Sequence, residues 1–156
     1  MVEPGSVVQS GERIEAVLRV HADQPLQTLL IEDPRPACTE FVRLPDSMRP
    51  VLVSVSPDGW TDDSPQQVPA RVEWRGESIL IAVDTLPAGD WELRYPLRAS
   101  EEGSYVVPGI RAWQNGRPDV TAWGDAQELT VVRPAERLTS DSARGSFGAK
   151  PVRAMR

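Results

Sequence analysis

Apolar and polar residues alternate with period two along much of this chain. In Arg13–His21, Ile14, Ala16, Leu18 and Val20 fall on one side and Glu15, Arg19 and His21 on the other. Ser78–Thr85 repeats the pattern with Ile79, Ile81 and Val83, and Trp91–Leu97 with Trp91, Leu93, Tyr95 and Leu97 around Glu92 and Arg94. Successive side chains of a strand point to opposite faces, so each run predicts a strand with one apolar face. Leu86-Pro87-Ala88-Gly89-Asp90 joins the last two runs, and its proline and glycine suit a short hairpin-type connection. Two strands alone are marginal, so further strands must cover that apolar face.

The remaining segments extend the same picture. Leu26–Glu32 is mostly apolar and is expected as a strand buried on both faces. Pro34 and Pro36 force the stretch after it to be extended or turning, because they exclude helix and ladder pairing. Thr39–Leu44 and Val51–Ser56 read as short strands, and residues 57–69 as an exposed loop containing Trp60. Ser104–Ala112 is expected as a strand interrupted at Pro108-Gly109, Asn115-Gly116 as a turn, and Glu128–Val132 as the closing strand. No segment carries a sustained helical stripe. The fold expected is therefore all-β: an antiparallel, immunoglobulin-like β-sandwich over residues 13–132. An irregular lead-in over 1–12 precedes it, and a basic, disordered tail over 133–156 follows.

Charge sharpens the division. The 156 residues carry 17 basic and 23 acidic groups, a net −6. Residues 133–156 hold six basic and two acidic groups, or +4, which leaves −10 on residues 1–132. An acidic body argues against nucleic-acid binding, which needs a basic face. The sequence has no run of 18 apolar residues and no signal-peptide core, so neither a membrane span nor a targeting signal is expected in it. Cys38 is the one cysteine, and an internal disulfide is impossible.

Candidate chemistry is sparse. One His and one Cys cannot build a zinc site of the usual kind, and no cofactor is expected. His21 sits on the polar side of its strand with no nucleophile motif near it, and Glu101-Glu102 lie in a turn before Gly103. The chain therefore reads as non-enzymatic. Trp74 and Trp91 follow the core pattern, whereas Trp60, Trp113 and Trp123 fall in or beside expected loops, where exposed rings can anchor a partner or stack on sugars. Asp33 and Arg98 each lie at the edge of an apolar run and are expected to pair and orient strand ends.

Several phrases in register resemble the C-terminal macroglobulin-like domain of bacterial alpha-2-macroglobulins, the tenth macroglobulin domain of those proteins. They are Leu30-Ile31-Glu32-Asp33-Pro34-Arg35-Pro36-Ala37, Ile81-Ala82-Val83-Asp84-Thr85-Leu86-Pro87-Ala88-Gly89, and Tyr95-Pro96-Leu97-Arg98-Ala99 running through Gly103 and Tyr105 to Pro108. The resemblance covers about residues 12–132. Two positions depart from it: Ala112-Trp113 stands where the family often has Met-Tyr, and Cys38 where glycine is common.

The resemblance implies a module of a protease-trapping protein, in which a thioester in another domain captures the protease. Its partners would be neighbouring domains, and proteases only indirectly. Cys38-Thr39-Glu40-Phe41 lacks the glutamine that closes a thioester, so this segment would serve as scaffold or conformational sensor. Some relatives shield the thioester with a tyrosine here, for which Tyr95 and Tyr105 are the candidates. Membership in a larger exported protein would place the domain in the periplasm or outside the cell. The rival reading is an immunoglobulin-like adhesive or carbohydrate-binding module using Trp60, Trp113 and Trp123 as stacking platforms.

Overall fold

Every period-two segment forms a strand, and the described residues contain no helix. The structure, a computed structural model, describes residues 6–42, 50–56, 64–134 and 145–155. The strands, in chain order, are β1 (Ser6–Gln9), β2 (Arg13–Ala22), β3 (Leu26–Pro34), β4 (Thr39–Phe41), β5 (Val51–Val55), β6 (Gln67–Pro69) and β7 (Arg71–Trp74). After them come β8 (Ser78–Leu86), β9 (Gly89–Ala99), β10 (Gly103–Val107), β11 (Arg111–Gln114), β12 (Arg117–Trp123), β13 (Gln127–Val132) and β14 (Gly145–Met155).

One sheet runs β14-β2-β9-β5-β6, with β4 also paired to β9, and a second runs β12-β11-β3-β8-β7. A smaller sheet, β1-β13-β10, continues the second one. The β10–β13 and β11–β12 pairs are two halves of one bent ribbon, broken where Gly109 meets Gly124. A Cβ on Gly109 would lie 2.0 Å from the Gly124 carbonyl oxygen, so only glycine permits this approach.

The two main sheets meet through the alternation in their sequences. Ile14, Ala16, Leu18 and Val20 of β2 are buried together with Trp91, Leu93, Tyr95 and Leu97 of β9. They belong to one core with Leu29 and Ile31 of β3, Ile79, Ile81 and Val83 of β8, and Ala112 of β11. Each such aliphatic side chain stabilises the fold by about 1.5–3 kcal/mol, which fixes the inward face of every strand.

The structure corrects the sequence reading at several points. Ser78–Leu86 and Gly89–Ala99 do not form a hairpin: β8 pairs with β3 and β7, whereas β9 pairs with β2, β4 and β5. The Pro87-Ala88 connection crosses the sandwich, with the Trp91 indole N–H donating to the Pro87 carbonyl at 2.9 Å. Both strands present apolar faces to the same core, and alternation cannot tell whether those faces lie side by side or opposed. β3 is not buried on both faces; Leu29, Ile31 and Asp33 are buried, while Leu30 and Glu32 are half-exposed.

The ends also carry more strand than expected. Within the lead-in, β1 pairs in parallel with β13, and within the loop expected over 57–69, Gln67–Pro69 is β6 on β5. Within the segment expected as a flexible tail, Gly145–Met155 pairs in parallel with β2. All three lie on strand edges, where unpaired backbone groups are satisfied by added strands that need no apolar period of their own.

Candidate interaction surface

Asp33 ends the inward row of β3, and its carboxylate, wholly buried, accepts a hydrogen bond from the Tyr95 hydroxyl of β9. Two of the sequence candidates are thus brought together across the sandwich. Burial first, then the Asp33 charge and the hydrogen bond itself, hold the Tyr95 phenol well above its usual 10.0, so it stays a donor. Phe41 and Trp74 pack beside this pair: their ring centroids are 5.0 Å apart at 65°, and each lies 6.3 Å from Tyr95. Trp74 keeps 38% of its surface exposed at the edge of β7, so it is less enclosed than Trp91, at 1%.

The expected Asp33–Arg98 pair is not the contact formed. Arg98 is exposed on the outer face of β9, with parity opposite to Tyr95, Leu97 and Ala99, which face Asp33. Tyr95 is sealed in the core and offers no ring at the surface. Tyr105 lies nearer the surface, its hydroxyl donating to the Glu102 carbonyl at 3.1 Å and its ring covering Gly103.

The outer face of the second sheet carries the more distinctive arrangement. Arg111 and Trp123 are cross-strand partners in the β11–β12 hairpin, and Trp113 lies two residues along β11 on the same face. The Arg111 guanidinium stacks on both indoles, 4.8 Å from the Trp113 ring centre and 5.2 Å from that of Trp123. Trp123 is 63% exposed. By register, Trp113 neighbours Leu30, Leu30 neighbours Ala82, and Glu32 neighbours Leu80, so half-exposed apolar side chains continue the face across the sheet. The sequence singles out both tryptophans, but Arg111 joins them only through the hairpin register. Trp60 lies outside the described residues.

The opposite outer face is a charge ladder. Arg19 Nε donates to Glu92 at 3.0 Å, Arg94 Nε donates to the other Glu92 oxygen at 2.6 Å, and Arg94 reaches Glu15 at 3.0 Å. His21 bridges Asp90 at 2.7 Å and Asp23 at 3.2 Å. The Asp90 hydrogen bond raises the imidazole above its usual 6.5, against a smaller opposing effect of burial.

Among the described residues no group of three or more His, Cys, Asp or Glu could hold a metal ion, and no helix could cross a membrane. Cys38 is buried, and burial pushes its thiol up, away from the reactive thiolate.

Comparison with known proteins bears on the family. No curated protein matches the chain. A solved structure described as "AvmM Catalyzes Macrocyclization in Alchivemycin A Biosynthesis" is 13% identical, over 85% of this chain and 87% of that one, with a TM-score of 0.28. A likeness that distant carries no argument about this molecule. The family model of the bacterial alpha-2-macroglobulin MG10 domain matches residues 2–119, a span that holds the Asp33–Tyr95 bond, Arg111 and Trp113; the chain belongs to that family.

Proposed function

We propose that this chain is a non-catalytic docking domain of a larger, exported macroglobulin-like protein that traps proteases. Its outer sheet face around Arg111, Trp113 and Trp123 would pack on a neighbouring thioester-bearing domain, and the Asp33–Tyr95 bond would hold the two sheets in the geometry that presents it. The observation that carries this reading is the exposed Trp123 ring held with Trp113 by one guanidinium on the outer face of the sheet. Rigid aromatics with a central arginine are the residues that concentrate binding energy in protein interfaces. The sugar-binding alternative is not favoured, because one guanidinium already lies over a face of each indole.

The test is binding of this chain to the purified thioester domain of the same parent protein, by calorimetry. The reading expects association, weakened about tenfold or more by Trp123→Ala or Arg111→Ala, as truncation of interface anchors does. Neither variant should lower the melting temperature appreciably, since both side chains are exposed. No association of the unaltered chain, or equal affinity of both variants, would overturn it.

A further inference from the structure

The edge of β2 that faces away from β9 is closed by the chain's own C-terminal strand, β14. Two independent facts fix which backbone groups meet there. At the start of the β2–β9 ladder Ala99 N–H donates to the Glu12 carbonyl, while the Ala99 carbonyl accepts from Gly11 N–H one residue earlier, so Glu12, which leads into β2, is the residue that faces β9 there. Alternation from that point puts the amides of Glu15, Val17 and Arg19 on the side away from β9. It also puts Pro96, which has no N–H to give, opposite Glu15 at a position that needs none.

On the other strand, Pro151 is the register partner of Arg19. In a parallel ladder one residue of each such pair bonds to both neighbours of the other. Pro151 cannot donate, so Arg19 bonds to Lys150 and Val152, and Pro151 takes the outward position. The two derivations agree: the β2 groups that need a partner face the β14 groups able to supply one.

The same pairing is interrupted. The segment shifts register against β2 twice, between Ser146 and Ala149 and again between Val152 and Met155. Residues 145–156 carry Lys150, Arg153 and Arg156 and no acidic group, against −10 on residues 1–132. Its attachment thus combines an interrupted ladder with a salt-sensitive attraction. It also lies beyond the matched family span of 2–119.

We infer that the β2 edge is a strand-acceptor site whose occupant is the chain's own basic C-terminal segment, bound in parallel and releasable. When the tethered copy is broken, the same segment supplied from outside takes its place by backbone pairing. This rests on the edge geometry and is independent of the docking face.

The experiment compares the full chain with Val152→Pro, which removes a bonding N–H, and Ala149→Pro, placed at an outward position like Pro151. Hydrogen exchange is read at Val17 and Arg19, which face β14, and at Leu18 and Val20, which face β9. A labelled peptide of residues 145–155 is the binding probe. Val152→Pro should speed exchange at Val17 and Arg19 by about tenfold or more while leaving Leu18 and Val20 slow, since edge opening is local. The peptide should then bind Val152→Pro but neither the unaltered chain nor Ala149→Pro. Equal exchange at Val17 and Arg19 in the chain and Val152→Pro, or a folded Val152→Pro that ignores the peptide, would overturn the inference. Should Val152→Pro fail to fold, added salt on the unaltered chain gives the same reading. Selective acceleration at Val17 and Arg19 supports the site, and its absence rejects it.

Discussion

The Tyr95 hydroxyl donates to the Asp33 carboxylate inside the core, and this hydrogen bond joins the two sheets between β9 and β3. Neither residue has appreciable exposed surface. Removing the donor in Tyr95→Phe keeps the ring's packing and should cost about 1–3 kcal/mol, the usual consequence of deleting a buried hydrogen bond to a carboxylate. Denaturant unfolding measures it, and a change within error would show that the bond adds nothing to stability.

The same tyrosine predicts behaviour at alkaline pH. Its folded pKa lies above the unfolded value, so its contribution is complete below the usual 10.0 and is lost as pH rises toward the folded value. The melting temperature should therefore fall above about pH 10, and the phenol should ionise only with unfolding. Tyr95→Phe should flatten that limb. An ultraviolet titration showing both tyrosines ionising in the folded protein would contradict the burial.

His21 acts in a lower window. Held by Asp90 and Asp23, its imidazole is raised above 6.5, so its contribution is complete below that value and fades as pH rises through the folded pKa. It ties the β2–β3 connection to the start of β9 across the register pair His21 and Asp90. His21→Asn should lower the melting temperature at pH 5.5 and have little effect at pH 8.5, conditions chosen on either side of an ordinary histidine. An equal loss at both would assign His21 a packing role only.

Gly109→Ala should damage the fold at the bend of the β10–β13 ribbon. The added methyl would meet the Gly124 carbonyl at 2.0 Å, and a backbone atom cannot swing aside as a side-chain tip does. A loss of roughly 2–3 kcal/mol is expected from overpacking of this kind. Gly76→Ala, with nothing within 4 Å, is the matched control and should be nearly neutral. Comparable losses in both would remove the close approach as the cause.

Thr28 offers the opposite sign. It holds φ at 50°, a left-handed conformation that strains a β-branched residue, while its carbonyl accepts from the Asn115 amide at 2.9 Å. Thr28→Asn keeps that carbonyl and suits the conformation better, so it should stabilise by about 0.5–1 kcal/mol. Thermal unfolding checks it, and a lower melting temperature would place the side chain, rather than the backbone, in control.

The sequence by itself determined the alternating strands, β2, β5, β8 and β9 among them, and their inward rows, because alternation is a local property of an extended backbone and each row must leave water. It marked Asp33, Tyr95, Trp113 and Trp123, and its phrases carried the family. Only the tertiary structure decided which strands share a sheet, and so turned the expected hairpin at Pro87-Ala88 into a crossing between sheets. It likewise gave Asp33 the hydroxyl of Tyr95 in place of Arg98, placed Arg111 on two indoles, and closed the β2 edge with β14. Those outcomes depend on register between segments far apart in the chain, and a period-two pattern reads the same whichever strand lies alongside.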